Sequence, residues 1–272
     1  MKASVITVIF NEVNHIESII KSVLSQDCAD FELLLIDGGS TDGTVEIIKK
    51  YAKEDSRLKW ISEPDNGAAD AISKGLKLAS GNIIGFINAG DELCDSAIKS
   101  AVITFMENPT YDIFHGDLLK LQGEKVMYLL KPSRNIDFHI WHEMPINSVG
   151  TFYTRRAIDM VGGYDFSYKV ATDYDMLLRM YIKKCRFYYL DMPLAKMRYG
   201  GVSDTNYVEG LKEIFISSTK NGYPKYKAAL WFAFKFFVRT TKNFLRKIGF
   251  HSVIRLHPKF HPIGGGKSKM GR

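Results

Sequence analysis

Residues 214–272 contain no aspartate or glutamate, yet they carry 13 lysines and arginines. Residues 1–213 carry 24 basic and 30 acidic residues, so the formal net charge of +7 divides into an acidic body and a wholly basic segment. Average charge alone would point to nucleic acid, but its distribution calls for two separate explanations. Cysteine is scarce: Cys28, Cys94 and Cys185 lack metal-ligand spacing and cannot all pair. That excludes a disulfide framework and fits small buried apolar residues in a reducing compartment. No stretch offers the roughly 20 consecutive apolar residues that span a bilayer. The apolar run from Ser4 to Phe10 stops at Asn11-Glu12, too short for a leader and without a small-residue cleavage site, so it reads as a strand. The expectation is a cytoplasmic protein whose membrane contact is peripheral. A 46% hydrophobic and 25% charged composition over 272 residues supports a globular core and excludes disorder or coiled coil as the main architecture.

The first hundred residues alternate apolar runs with amphipathic segments. Ser4–Phe10, Phe31–Ile36, Leu58–Ser62 and Asn82–Ile87 read as strands; Asn14–Gln26, Thr44–Lys53 and Ala68–Leu78 read as helices between them. Strands apolar on both faces, alternating with helices, predict an α/β fold with a mostly parallel sheet flanked by helices. Further along, helices are expected over Ala97–Glu107, Ala157–Val161 and Thr172–Tyr181, with strands in Ile113–Leu121 and Gly150–Thr154. Thr172 suits a helix N-cap, and Asp173 and Asp175 suit the first turn. Capping accounts for one of these aspartates but not for both.

In open α/β sheets, ligands bind beyond the carboxyl ends of the strands. Those positions here hold Asn11-Glu12, Asp37 to Asp42, Glu63 to Asn66 and Asn88 to Asp91. Glu12, Asp37, Asp65 and Asp91 would repel one another unless a cation or hydrogen-bond donors filled the crevice. The G-x-G-x-x-G turn of a Rossmann phosphate site is missing after the first strand, so a divalent metal on carboxylate oxygen is the simplest way to hold phosphates.

The strings from Ser4 to Glu12, Asp37-Gly-Gly-Ser-Thr-Asp-Gly-Thr44, and Glu63-Pro-Asp-Asn-Gly67 with Asp70-Ala71 and Lys74-Gly75 resemble the inverting GT-A fold glycosyltransferases of family 2. Gly85-Phe-Ile-Asn-Ala-Gly-Asp91 resembles the family's metal-binding D-x-D element. Gly162-Gly-Tyr-Asp165 followed by Thr172-Asp-Tyr-Asp-Met-Leu-Leu-Arg179 resembles the acceptor-side segment carrying the catalytic base. The resemblance runs from about residue 3 to residue 205, in the family's order. It implies a GT-A (Rossmann-like) catalytic domain over 1–206, with a nucleotide-sugar half to about residue 115 and an acceptor half beyond.

By the same resemblance, Asp37 faces the nucleobase, Asn11 and Glu12 line the nucleoside pocket, and Asn66 and Asp70 lie near its rim. Asn88 faces the ribose, Asp91 binds Mg or Mn, Asp173 is the base, and Arg179 orients the site or pairs with a nearby acid. Two departures stand out. Asn88-Ala89-Gly90-Asp91 retains one carboxylate where the family often has two or three, so the cation should bind mainly with the nucleotide. Tyr199-Gly200-Gly201-Val202-Ser203 also lacks the histidine that some relatives place there.

Residues 225–248 read as an amphipathic helix with a basic stripe of Lys235, Arg239, Lys242 and Arg246, within a membrane-associating region spanning 207–261. Gly264-Gly-Gly-Lys-Ser268 looks like a phosphate loop but lacks the first glycine and has no room for a following helix, so residues 262–272 are expected to form a flexible tail. The combined expectation is an inverting transferase working from a nucleotide-sugar, a UDP-sugar first, onto a lipid-linked saccharide in polysaccharide or O-antigen synthesis. It would lie against an anionic membrane and have no nucleic-acid partner. A polyisoprenyl phosphate acceptor and a non-catalytic sugar-nucleotide sensor remain open. Trp141, His142 and Glu143 could contact the acceptor or serve as loop packing.

Overall fold

The computed structural model describes residues 1–28, 30–123, 125–198, 206–247 and 260–262. Strands Ala3–Ile9 (β1), Phe31–Asp37 (β2), Leu58–Ser62 (β3) and Ile83–Asn88 (β4) are joined by helices Ile16–Leu24 (α1), Thr44–Glu54 (α2) and Ala68–Leu78 (α3). In β2 alternate residues serve opposite cores. Leu33 and Leu35 pack with Ile16, Ile19 and Ile20 of α1, whereas Leu34 and Ile36 join Ala71 of α3 on the other face. This two-sided burial explains the continuous apolar runs, since each strand is covered by helices above and below. The order β3-β2-β1-β4 is parallel throughout.

The second half is mixed. It comprises Glu92–Leu93 (β5), Ala97–Glu107 (α4), Ile113–Gln122 (β6), Lys125–Leu130 (β7), Ile136–His139 (α5), Phe152–Thr154 (β8), Arg155–Val161 (α6), Thr172–Ile182 (α7), Phe187–Arg198 (β9), Tyr207–Lys220 (α8), Lys225–Lys247 (α9) and Phe260–Pro262 (β10). Strand β8 bridges β4 and β6 by antiparallel pairing, and β9 runs parallel to β6 while pairing antiparallel with β5. The sheet therefore continues the parallel half into an antiparallel-rich one in the order β10-β7-β6-β8-β4-β1-β2-β3. The β6–β9 register shifts beside Gly116, where a Cβ would meet the Met192 carbonyl oxygen at 2.6 Å, so this close approach needs a glycine.

Helix α8 belongs to the body. Its buried Glu213 carboxylate accepts backbone N–H bonds from Lys169, Val170 and Ala171, and Ser217 donates to Asp175 of α7 at 2.7 Å. Position 206 thus adjoins elements locked together, and Pro262, assigned in sequence to the tail, pairs with Tyr128 of β7. Gly264 to Ser268 lie outside the described residues.

Candidate active site

Parallel registry lines up the carboxyl ends of four strands. Val8 lies opposite Asn88, Ile9 opposite Asp37, and Asp37 opposite Ser62. One row across the sheet edge therefore carries residues expected at the nucleotide. Asn11 adopts φ 52°, a left-handed conformation that asparagine tolerates better than most residues. In that pose its backbone N–H donates to Ser40 Oγ at 2.7 Å and its Oδ1 accepts the Thr41 N–H at 3.0 Å, clamping the β1 end to the β2 turn. The Glu12 N–H donates to Thr44 Oγ1, and Glu12 Oε2 lies 3.1 Å from His15 Nδ1.

Asp37 is 1% exposed and organises that turn. Its Oδ2 accepts the Gly39 N–H at 3.1 Å, the Ser40 N–H at 3.0 Å and the Ser62 hydroxyl at 2.6 Å, and Oδ1 accepts the Ser40 hydroxyl. Oδ1 keeps one acceptor direction. Asp65 Oδ1 accepts the Gly67 N–H, and its other oxygen would lie 2.6 Å from a Cβ at Gly38, so Gly38 admits Asp65 to the β2 end. Asp70 receives the Asn66 N–H and pairs with Lys74, which also bonds Glu63 at 2.9 Å; its carboxyl is held below the ordinary range by the Asn66 bond and these lysine charges. The carboxylates of Glu12, Asp37 and Asp65 each have hydrogen-bond partners within their own neighbourhoods.

Asn88 is exposed at the end of β4, while Asp91 beyond it is buried. Burial pushes the Asp91 carboxyl up to about 7, opposed by the Arg198 N–H, the charge of Lys120 and a bond from Asn88. Asp173 reaches the same region through aromatic packing. Phe86 of β4 meets Tyr164 edge-on at 5.5 Å, and the Tyr164 hydroxyl donates to Asp173 Oδ1 at 3.0 Å. The Asp173 carboxyl is raised by desolvation, with the Tyr164 and Ser148 bonds pulling the other way. A partly exposed carboxylate with an elevated pKa beside apolar rings is suited to accept a proton.

The glycosyl transferase family 2 model matches residues 4–169. The chain belongs to that family and is a glycosyltransferase. A PGL/p-HBAD biosynthesis glycosyltransferase of Mycobacterium tuberculosis is 29% identical over 188 residues, covering 68% of this chain and 72% of the relative. The solved structure of S. aureus TarS 1–349 in complex with UDP-GlcNAc superposes with TM-score 0.62 at 20% identity, covering 86% of this chain and 71% of that one. A longer TarS chain is 41% covered. The mannosyltransferase PcManGT from Pyrobaculum calidifontis, in complex with GDP-Man and Mn2+, gives TM-score 0.63 at 16% identity, covering 85% and 69%. At such identities the superpositions establish the GT-A fold.

In this glycosyltransferase, Arg179 pairs with an acid, as its sequence position allowed: its Nε donates to Asp175 at 2.7 Å and its other nitrogens to the Val161 and Gly163 carbonyls. It thereby fixes the loop that carries Tyr164, and Asp175 is the structural member of the aspartate pair. Thr172 is not the N-cap expected; Ala171 occupies that position without a side-chain cap, and Glu213 supplies the acceptors just upstream. Trp141 and His142 both take part in packing. Trp141 stacks on Tyr223 at 5.2 Å, and His142 sits 4.5 Å from Trp231 with its Nε2 2.7 Å from the Tyr223 hydroxyl. No role was read from sequence for Tyr164, Ser40, Ser62 and Glu213; Ser62 and Glu213 act on partners 25 and more than 40 residues away, and Tyr164 on one nine residues away. Phe10 was also passed over; it is 62% exposed at the β1 end, within reach of Gly38.

Proposed function

We propose that this glycosyltransferase moves a sugar from a UDP-sugar to a hydroxyl of a lipid-linked saccharide by a single in-line displacement with inversion. The observation carrying the reading is the Asp173–Tyr164 pair: a carboxylate of raised pKa joined through Tyr164 and Phe86 to β4, the strand that ends at Asn88. Asp173 takes the acceptor proton as the acceptor oxygen attacks the anomeric carbon, help of about 10²–10⁴-fold. Asn11, Glu12 and the Asp37 turn line the nucleoside pocket, with Asn66 and Asp70 at its rim. Asn88 faces the ribose. UDP-GlcNAc in TarS supports a uridine nucleotide.

The hard oxygens of Asn88 and Asp91 fit Mg or Mn shared with the donor diphosphate, an arrangement in which one carboxylate suffices. No group of three or more His, Cys, Asp or Glu side chains placed to hold a metal occurs among the described residues. A cation bound there would neutralise negative charge on the leaving diphosphate. The acceptor would be met at an anionic membrane on the cytoplasmic face; among the described residues no helix is long and apolar enough to cross one. The test is UDP release from UDP-glucose, UDP-galactose and their N-acetyl forms with Mn present. Wild-type release that vanishes in Asp173→Asn while UDP binding persists supports the reading; an active Asp173→Asn enzyme overturns the base assignment, and no release from any donor overturns the UDP-sugar assignment.

A further inference from the structure

The described part of the basic stripe on α9 faces the catalytic body. Lys235 ion-pairs with Glu143 and lies over the Trp231 ring, and the Arg239 guanidinium sits 4.7 Å from the Tyr207 ring centroid. Ala228 is buried on this side, and Trp231 packs against Phe138 and His142. The sequence shows the basic stripe as a periodicity without saying which side of the helix faces the body.

The opposite side is apolar. Tyr226, Leu230, Phe234 and Phe237 follow spacings of four, four and three, and are 66%, 68%, 54% and 68% exposed. Ala233 and Thr241 share that side and are exposed as well, so the outward stripe carries no charge from residue 226 to residue 241. A helix that kept this side in water would carry charged residues there, and a contiguous exposed apolar stripe marks an interaction surface. Charge identifies the occupant. Exposed Lys225 and Lys227 flank the stripe, and the sequence from residue 214 onward supplies 13 cations and no acid. A partner of mixed charge would find only one sign to match, whereas an anionic lipid surface matches both the apolar stripe and its basic surroundings.

We infer that the Tyr226–Leu230–Phe234–Phe237 face of α9 lies in the interface of an anionic lipid bilayer, with the Lys235–Arg239 side holding the catalytic body against the helix. The inference deepens the proposed membrane-borne acceptor and rests on that reading for its purpose, though the surface itself is argued from α9. It has a mechanical corollary. Helix α9 packs on α8 through Phe232 and Phe215, and α8 holds the Lys169–Ala171 segment that leads directly to Asp173. Two packed helices therefore join the lipid surface to the candidate base.

The test is flotation of the full chain with vesicles of phosphatidylcholine alone and with an equal mixture of phosphatidylcholine and phosphatidylglycerol. Wild type should float with the mixed vesicles, and Leu230→Asp/Phe237→Asp should lower the bound fraction about tenfold, as expected when an interfacial face gains charge. UDP-sugar hydrolysis by the double variant should equal wild type, because both positions are exposed; this reports a folded body independently of lipid. Equal flotation of the two proteins overturns the inference, as does absence of wild-type flotation. Light scattering that shows a wild-type dimer dispersed by the double variant, without flotation, assigns the stripe to a second copy instead. Flotation without any donor hydrolysis leaves this surface intact and fails the proposed function alone.

Discussion

The Tyr164 hydroxyl donates a 3.0 Å hydrogen bond to Asp173 Oδ1, so the tyrosine steadies the charged form of a carboxylate that desolvation disfavors. Desolvation dominates, and the net pKa lies above the ordinary carboxylate value. A base works deprotonated, so activity should fall as pH drops through that raised value. Tyr164→Phe removes a stabilising bond to the charged form and should raise the pKa further. A lost bond to a charged group corresponds to about one pKa unit or somewhat more. The pH–rate profile of kcat should therefore show its acid limb about one unit higher in Tyr164→Phe, with UDP affinity unchanged.

Glu213 offers a test on the acceptor side. Its buried carboxylate receives three backbone N–H groups from residues 169–171, at 2.7–2.8 Å. Glutamine retains one carbonyl oxygen and places an NH₂ where an acceptor is needed. Glu213→Gln should cost about 1–3 kcal/mol of stability, the usual penalty for leaving buried donors unpaired. Urea denaturation measures that loss, and UDP binding near neutral pH should remain, because the segment lies away from the β1–β2 edge proposed to hold the nucleotide.

The legible parts of this fold were those whose signal is local. β3, α3 and α4 have the boundaries read from sequence, because hydrophobic period and turn residues operate within a few positions. Helix α8 was not assigned, since its buried side carries Glu213, Ser217 and Ser218 while Ile216 is 52% exposed, inverting the usual pattern. β9 was hidden in the same way: it contains Pro193 and shifts register against Gly116, both features that argue against a regular strand. At the candidate site, strand-end position points to Asn11, Asp37 and Asn88, whereas Tyr164 and Glu213 act on partners 9 and more than 40 residues away. The α9 stripe was visible as a periodicity, yet only packing tells which of its two sides faces inward.

At the amino ends of the strands, Glu32 is buried among Lys2, Lys59, Ser4 and Ser80. Desolvation raises its pKa, but bonds from Lys59, the Ser80 N–H, Lys2 and Ser4 outweigh it and hold the carboxyl well below the usual range. A folded-state pKa below the unfolded value, about 4.3, stabilises the protein above that pH, and this contribution is lost progressively as pH falls. Wild-type stability in urea should decline below about pH 5. Glu32→Gln should be less stable near neutrality and show a shallower acid decline, so the two curves converge at low pH.

Phe10 and Asp37 separate binding from folding at the nucleotide edge. Phe10 is exposed, so Phe10→Ala removes little packing and should leave the melting temperature near wild type. If a base stacks on its ring, the substitution should weaken UDP binding by about 1–3 kcal/mol, the range for base–aromatic stacking. Asp37→Ala differs in kind. It removes the acceptor for Gly39, Ser40 and Ser62, leaving turn donors without their partner. It should lower both stability, by about 1–3 kcal/mol, and UDP affinity, since Asn11 is clamped to the same turn through Ser40. Calorimetric titration of UDP beside thermal melts checks both variants. A Phe10→Ala protein that binds UDP like wild type would remove the ring from the donor site, and an undiminished Asp37→Ala melting temperature would remove Asp37 from the turn.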